Sequence, residues 1–184
     1  METKQYTKLG LSTALISFLL GTIIFILYFL TSALVFLFVG YAFIALTGII
    51  NIAILISILL KAIKDELNRK KLLTTSAIML LNIPIMVFYC WIAIILLGTL
   101  RITLKNETGT DLTEINIIGC GGGYIAKLQK GESKTIWVPI TGDCSIYMNY
   151  LSLGSRKRER VVGYTTSGDG KKLSYKIDGK DKEI

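Results

Sequence analysis

Two hydrophobic patterns divide the chain. From Leu9 to Leu60, and again from Leu72 to Leu100, no Asp, Glu, Lys or Arg interrupts the apolar residues. About 20 apolar residues cross the hydrocarbon core of a bilayer, so the first stretch holds two spans and the second holds one. Thr31 and Ser32 are the least apolar point near the middle of the first stretch and predict a tight helix–helix turn. The predicted spans lie near 10–30, 33–60 and 72–100, with a basic loop over 61–71.

Beyond Arg101 the pattern changes to alternation, as in strands with one buried face. Ile102 and Leu104 alternate with polar residues, as do Ile115 and Ile117, then Ile136, Val138 and Ile140, then Ile146, Met148 and Tyr150, then Leu173, Tyr175 and Ile177. Weaker strands fit at 124–128 and 159–164. Turn signals separate these runs at 106–109, 130–132, 141–143, 152–155 and 167–170. The expected architecture is three transmembrane helices in residues 1–100, followed over 101–184 by an extramembrane all-β sandwich or small barrel of about seven antiparallel strands.

Composition agrees with a membrane chain: 52% of the 184 residues are hydrophobic and 18% charged, against about a quarter charged in soluble domains. Lys4 and Lys8 before an apolar run, with Thr31-Ser32-Ala33 after it, faintly mimic a secretory signal. The run is longer than a signal's apolar core and continues through the supposed cut, so a retained span is expected. Basic residues near span ends set orientation. Lys4 and Lys8 precede the first span, and Lys61, Lys64, Arg69, Lys70 and Lys71 follow the second. Two spans separate these groups, so both sit in the cytoplasm and the third span carries the β domain to the other side. Five basic residues beside the bilayer also attract anionic lipid.

Cys90 lies within the third span as a small apolar side chain. Cys120 and Cys144, at the end of one predicted strand and the start of another, read as a disulfide in an oxidising compartment. The alternative is a pair of buried thiols in a cytoplasmic domain. Inside the membrane, Asn51 and Asn82 fall at the same depth, about 15 Å from the cytoplasmic ends of their spans, and are expected to hydrogen-bond each other. A sharper reading has them face a polar pore. Pro84 frees the carbonyl of Leu80, so a kink is expected beside Asn82. Ser17 and Gly21, and Ala53 and Ser57, are small residues spaced to permit close helix contact.

The chain has no His, which excludes Ser/His or Cys/His catalysis and His-based zinc sites. Gly119-Cys120-Gly121-Gly122-Gly123 has no Lys-Ser/Thr after it and opens no helix, so it reads as a flexible hairpin loop rather than a phosphate cradle. Asn106-Glu107-Thr108 matches a glycosylation sequon close to the membrane, a pattern short enough to recur by chance. The carboxylates Glu107, Asp111, Glu114, Asp143 and Glu159 show no acid–base pairing. Arg156, Lys157, Arg158 and Arg160 form a binding patch or a solvated hairpin tip. With 14 Lys or Arg against 10 Asp or Glu, the domain's net charge of +4 is too mild for nucleic-acid binding.

No enzyme, cofactor or metal site is expected. The expected protein is a multi-pass component of a bacterial inner membrane whose extracytoplasmic β domain recognises a protein partner, as an immunity or accessory subunit does. The alternative is a homo-oligomeric pore gated by a ligand of the β domain, with the Asn51/Asn82/Pro84 layer along its path.

Overall fold

A computed structural model describes residues 2–179. The chain divides into two compact units, Met1–Ala93 and Ile94–Ile184. The first contains α1 (Thr3–Thr31), α2 (Leu34–Lys64), α3 (Arg69–Leu80) and most of α4 (Asn82–Leu97). Three helical stretches, Thr3–Thr31, Leu34–Lys64 and Glu66–Leu97, are long and apolar enough to cross a membrane. Side chains such as Phe38, Ile49 and Ile63 stand at least two-thirds exposed, a surface that lipid accepts and water does not.

The turn between α1 and α2 falls where the sequence places it. Ser32 takes the left-handed conformation at φ 55° and donates its N–H to the Tyr28 carbonyl at 2.8 Å. The Thr31 hydroxyl accepts from the Ala33 N–H at 3.2 Å. The basic loop predicted over 61–71 is shorter than expected. Lys61 and Lys64 complete the last turn of α2, Arg69, Lys70 and Lys71 open α3, and a short 3-10 turn at Glu66–Asn68 joins them. Asp65 organises this connection by accepting from the Thr3 hydroxyl and from the Asn68 N–H and side chain. The Thr3 hydroxyl, then Asn68, hold its carboxyl below the usual value.

α3 and α4 form one apolar passage interrupted at Leu81, whose N–H is shared between the carbonyls of Ala77 and Ile78 at 3.2 Å each. The ring nitrogen of Pro84 cannot donate to Leu80, so the regular ladder lapses there. At the other end the predicted span 72–100 runs too far. Gly98 closes α4 by donating to the carbonyls of Ile94 and Ile95, and Thr99 and Leu100 already belong to a strand. Both are apolar enough to read as membrane residues, but their backbones pair with Pro139 and Val138.

The second unit holds seven strands: β1 (Thr99–Asn106), β2 (Leu112–Ile118), β3 (Gly123–Leu128), β4 (Ser133–Pro139), β5 (Cys144–Ser152), β6 (Ser155–Thr165) and β7 (Lys172–Ile177). They form two sheets, ordered β4-β1-β7 and β3-β2-β5-β6. The alternating apolar residues of both sheets meet in one core that includes Leu100, Ile102, Leu104, Leu112, Ile115, Ile146, Met148 and Tyr150. The expectation of wholly antiparallel strands fails at one place, where β7 pairs parallel to β1, Ile102 opposite Leu173 and Leu104 opposite Tyr175. Alternation has the same period in both arrangements, so the pattern cannot distinguish them.

The last turn of α4, from Ile94, belongs to this second unit. Gly170, in the β6–β7 loop, donates to the Leu97 carbonyl at 2.9 Å, and Ile140 donates to that of Gly98 at 2.8 Å. A Cβ on Gly170 would stand 1.9 Å from the Leu96 carbonyl oxygen. The glycine is therefore a condition of that contact.

Candidate functional site

The basic run lies on β6, an outer strand of the four-stranded sheet. Leu153 and Gly154, both at positive φ, make a two-residue turn joining β5 to β6, the geometry that best matches strand twist. Side chains on β6 then alternate between faces. Arg156, Arg158 and Arg160 are exposed on the outer face, whereas Lys157 is half-buried and Glu159 fully buried on the inner one. The four-residue patch read from sequence is therefore three arginines on one face, with Lys157 turned the other way to donate to the Gly179 carbonyl.

Residues directly opposite on paired strands share a face, so the strand registers extend the arginine row across the sheet. Arg158 stands opposite Asn149, then Asn116, then Tyr124, and Arg160 stands opposite Tyr147, then Ile118. Arg156 stands opposite Leu151, then Thr113, then Lys127. The Arg158 guanidinium lies 4.5 Å from the Tyr147 ring centroid, a cation–π contact. Arg156 approaches Glu114 at 3.8 Å, and Asp111 takes Lys127 at 2.7 Å. Tyr124 is 59% exposed and Ile118 44%. Sequence reading missed Tyr124, Ile118 and Tyr147, because only strand register places residues so distant in sequence on one surface.

Behind this face, the buried Glu159 accepts hydrogen bonds from the Tyr150 and Tyr175 hydroxyls, so one carboxylate ties the two sheets. Burial and then the Glu159 carboxylate push the Tyr175 hydroxyl well above its ordinary pKa.

Cys120 and Cys144 have Cα atoms 5.6 Å apart and are joined as a disulfide, with 24 residues of sequence separation. In the chain-entropy account a loop of that length is stabilised by about 3 kcal/mol. The glycines around Cys120 form a packed loop instead of the flexible one expected. A Cβ on Gly119 would stand 1.9 Å from the Ser145 carbonyl oxygen, and one on Gly123 would stand 2.4 Å from Ile136 Cδ1. The Gly121 and Gly122 amides donate to the carbonyls of Pro139 and Gly119, so neither is directed at a phosphate.

The sequon asparagine is engaged too. Asn106 is buried, its Nδ2 donating to the carbonyls of Thr110, Leu128 and Gln129 and its Oδ1 accepting from the Thr108 N–H and hydroxyl. A glycan could not be attached to it in the folded domain.

The two membrane asparagines do not pair with each other as expected. Asn51 donates to Ser17 Oγ at 2.9 Å and to the Thr47 carbonyl, while Asn82 donates to the Ala14 carbonyl at 3.0 Å. Both amides therefore converge on one face of α1, at residues three apart. α1 offers a carbonyl and a hydroxyl beside small side chains, and each amide donates there rather than to the other. Pro84 sits in the first turn of α4 beside Asn82. Nearby, Thr22 Oγ1 and Tyr89 Oη lie 3.0 Å apart, and Tyr89 stacks on Phe25.

Among the described residues no three His, Cys, Asp or Glu side chains gather as metal ligands. Comparison with known proteins finds no matching family model, no similar curated protein and no similar solved structure.

Proposed function

We propose that this protein is a membrane-anchored recognition module, in which three helices hold a β domain on the extracytoplasmic side for a protein partner. The observation that carries this reading is the outer face of the four-stranded sheet. It presents three arginines, the exposed Tyr124 and Ile118, and the half-buried Tyr147 on paired strands. Arginine and tyrosine dominate the energetics of protein interfaces because each combines large contact area with directed polar groups. Lys4 and Lys8 before α1 and the five basic residues around the α2–α3 connection favour a cytoplasmic side for those ends. The Cys120–Cys144 disulfide suits an oxidising compartment on the other side. A bacterial immunity or accessory subunit fits this description.

The competing pore reading needs Asn51 and Asn82 to face a path, whereas each directs one amide N–H at α1. A photo-crosslinking residue placed at Tyr124 or Ile118 in native membranes tests the proposal. Adducts with one protein, absent when the same residue replaces Ser174 on the other sheet, support it. Unitary conductance in planar bilayers that disappears in the Asn51→Leu/Asn82→Leu variant would replace it with the oligomeric pore.

A further inference from the structure

The same three arginines that project from the outer face also bound the open edge of the sheet. Ser152 and Ser155 flank the two-residue turn and pair directly, and such a hairpin closes on a pair that exchanges both backbone hydrogen bonds. Bonded and non-bonded pairs then alternate along the ladder. Ser155, Lys157 and Glu159 direct their amides and carbonyls at β5. Arg156, Arg158 and Arg160 direct theirs away from it, at the free side of the sheet. Each arginine therefore offers an unpaired backbone donor and acceptor together with a guanidinium on one face, repeating about every 6.6 Å.

Resting on the recognition-module reading, we infer that the β6 edge binds an acidic extended segment of a partner protein by strand addition. The segment's alternate residues are Asp or Glu and face Arg156, Arg158 and Arg160. Strand addition draws affinity from main-chain hydrogen bonds and specificity from alternate side chains, and this edge supplies both from the same residues. A single carboxylate, Glu114, approaches the arginine row at 3.8 Å; among the described residues Arg158 and Arg160 have no acidic partner. Charge complementarity thus selects an acidic occupant.

A second copy of the chain is disfavoured by the same row. An antiparallel β6–β6 pairing that keeps both outer faces on one side sets arginine opposite arginine, and like charges directly opposed destabilise a ladder. Charged side chains also serve simply to blunt an edge. That bland role is indifferent to the sign of the charge, whereas acidic strand addition is not.

The test uses the full chain in nanodiscs of phosphatidylcholine. The probe is a fluorescein-labelled peptide of alternating Glu and Val, and its control has the same composition with the Glu residues grouped in one block. The alternating peptide is expected to bind at least about tenfold more tightly than the block peptide. The Arg156→Glu/Arg158→Glu/Arg160→Glu variant, still charged at its edge, is expected to lose about tenfold or more. Arg158→Pro, which removes an edge-facing N–H that β5 does not use, is expected to bind less than Arg158→Gln, which removes the same guanidinium. Equal binding of the two peptides, or equal binding by Arg158→Pro and Arg158→Gln, overturns strand addition. Tighter binding of phosphatidylglycerol vesicles than of either peptide would assign the row to lipid instead. A crosslink at Tyr124 that survives Arg158→Pro would keep the recognition module and discard only its edge.

Discussion

At the scale of single residues, polar groups in this protein are placed by what they can bond, and sequence motifs predict that poorly. Asn106 belongs to a modification sequon, yet its amide is the organising group of the loop after β1, with five hydrogen bonds to four residues. Replacing it leaves buried carbonyls without donors, each costing about 1–3 kcal/mol. Asn106→Ala is therefore expected to destabilise the β domain by roughly 3 kcal/mol. Asn106→Asp, which turns a donor into a carboxylate oxygen facing three carbonyls, is expected to cost more. Urea unfolding of the detergent-solubilised chain, read by hydrogen exchange in β1 and β3, measures both, and a midpoint unchanged by Asn106→Ala would refute the assignment. Asn51 and Asn82 teach the same lesson inside the membrane. The sequence placed both in apolar spans, but it did not give their acceptors, since any helix face nearby offers carbonyls.

At the scale of elements, α1 is the helix on which the others are assembled. Gly10 lies where three helices cross, and a Cβ there would stand 2.6 Å from Ile58 Cδ1 and 2.7 Å from Thr75 Cγ2. Around it Ala14, Ile58, Ala62, Leu72 and Met79 form a buried cluster. Without a hydrophobic force between helices in lipid, such close packing supplies much of the association energy. Gly10→Leu is thus expected to separate α1 from α2 and α3. A Cys pair engineered at Ala14 and Ala62 should then crosslink less in membranes, and adding Ile58→Ala should restore part of the yield. No change in yield would mean that the crossing does not depend on Gly10. The pairs Ser17/Gly21 and Ala53/Ser57 stood out in the sequence, whereas the crossing itself uses Gly10 and Ala14, a pair of the same spacing that the chain gives no reason to prefer over the others.

For the whole molecule, the β domain carries charge pairs whose effect on stability has a definite sign. Lys105 and then Lys176 hold the Glu107 carboxyl below its usual 4.5. Lys127 holds Asp111, and the Thr166 hydroxyl holds Asp143, below the usual 3.8. A carboxyl depressed by folding contributes stability that is present above its unfolded pKa and is lost as pH falls through the folded one. For the raised Tyr175 the contribution is present below the usual 10.0 and is lost as pH rises beyond it. The urea midpoint of the β domain should be flat between about pH 5 and 9, falling on either side. Tyr175→Phe should soften the alkaline fall while leaving the acid one, and an unaltered alkaline limb would contradict this account.

The sequence by itself determined that there are three apolar spans, the turn at Ser32, the break near Pro84 and the presence of seven strands, although it began β6 at Glu159 where the strand starts at Ser155. Each follows from local hydrophobic period, length or backbone chemistry. It did not determine that β7 lies parallel to β1, because alternation is blind to strand direction. Nor did it determine where α4 ends, because Thr99 and Leu100 are apolar enough for either environment. The candidate site shows the division most clearly. The arginines were conspicuous in the chain as a charge run that included Lys157. Only strand pairing separated Lys157 from them, brought Tyr124, Ile118 and Tyr147 to their side, and left their backbone groups on an open edge, since those relations depend on contacts between residues far apart in sequence.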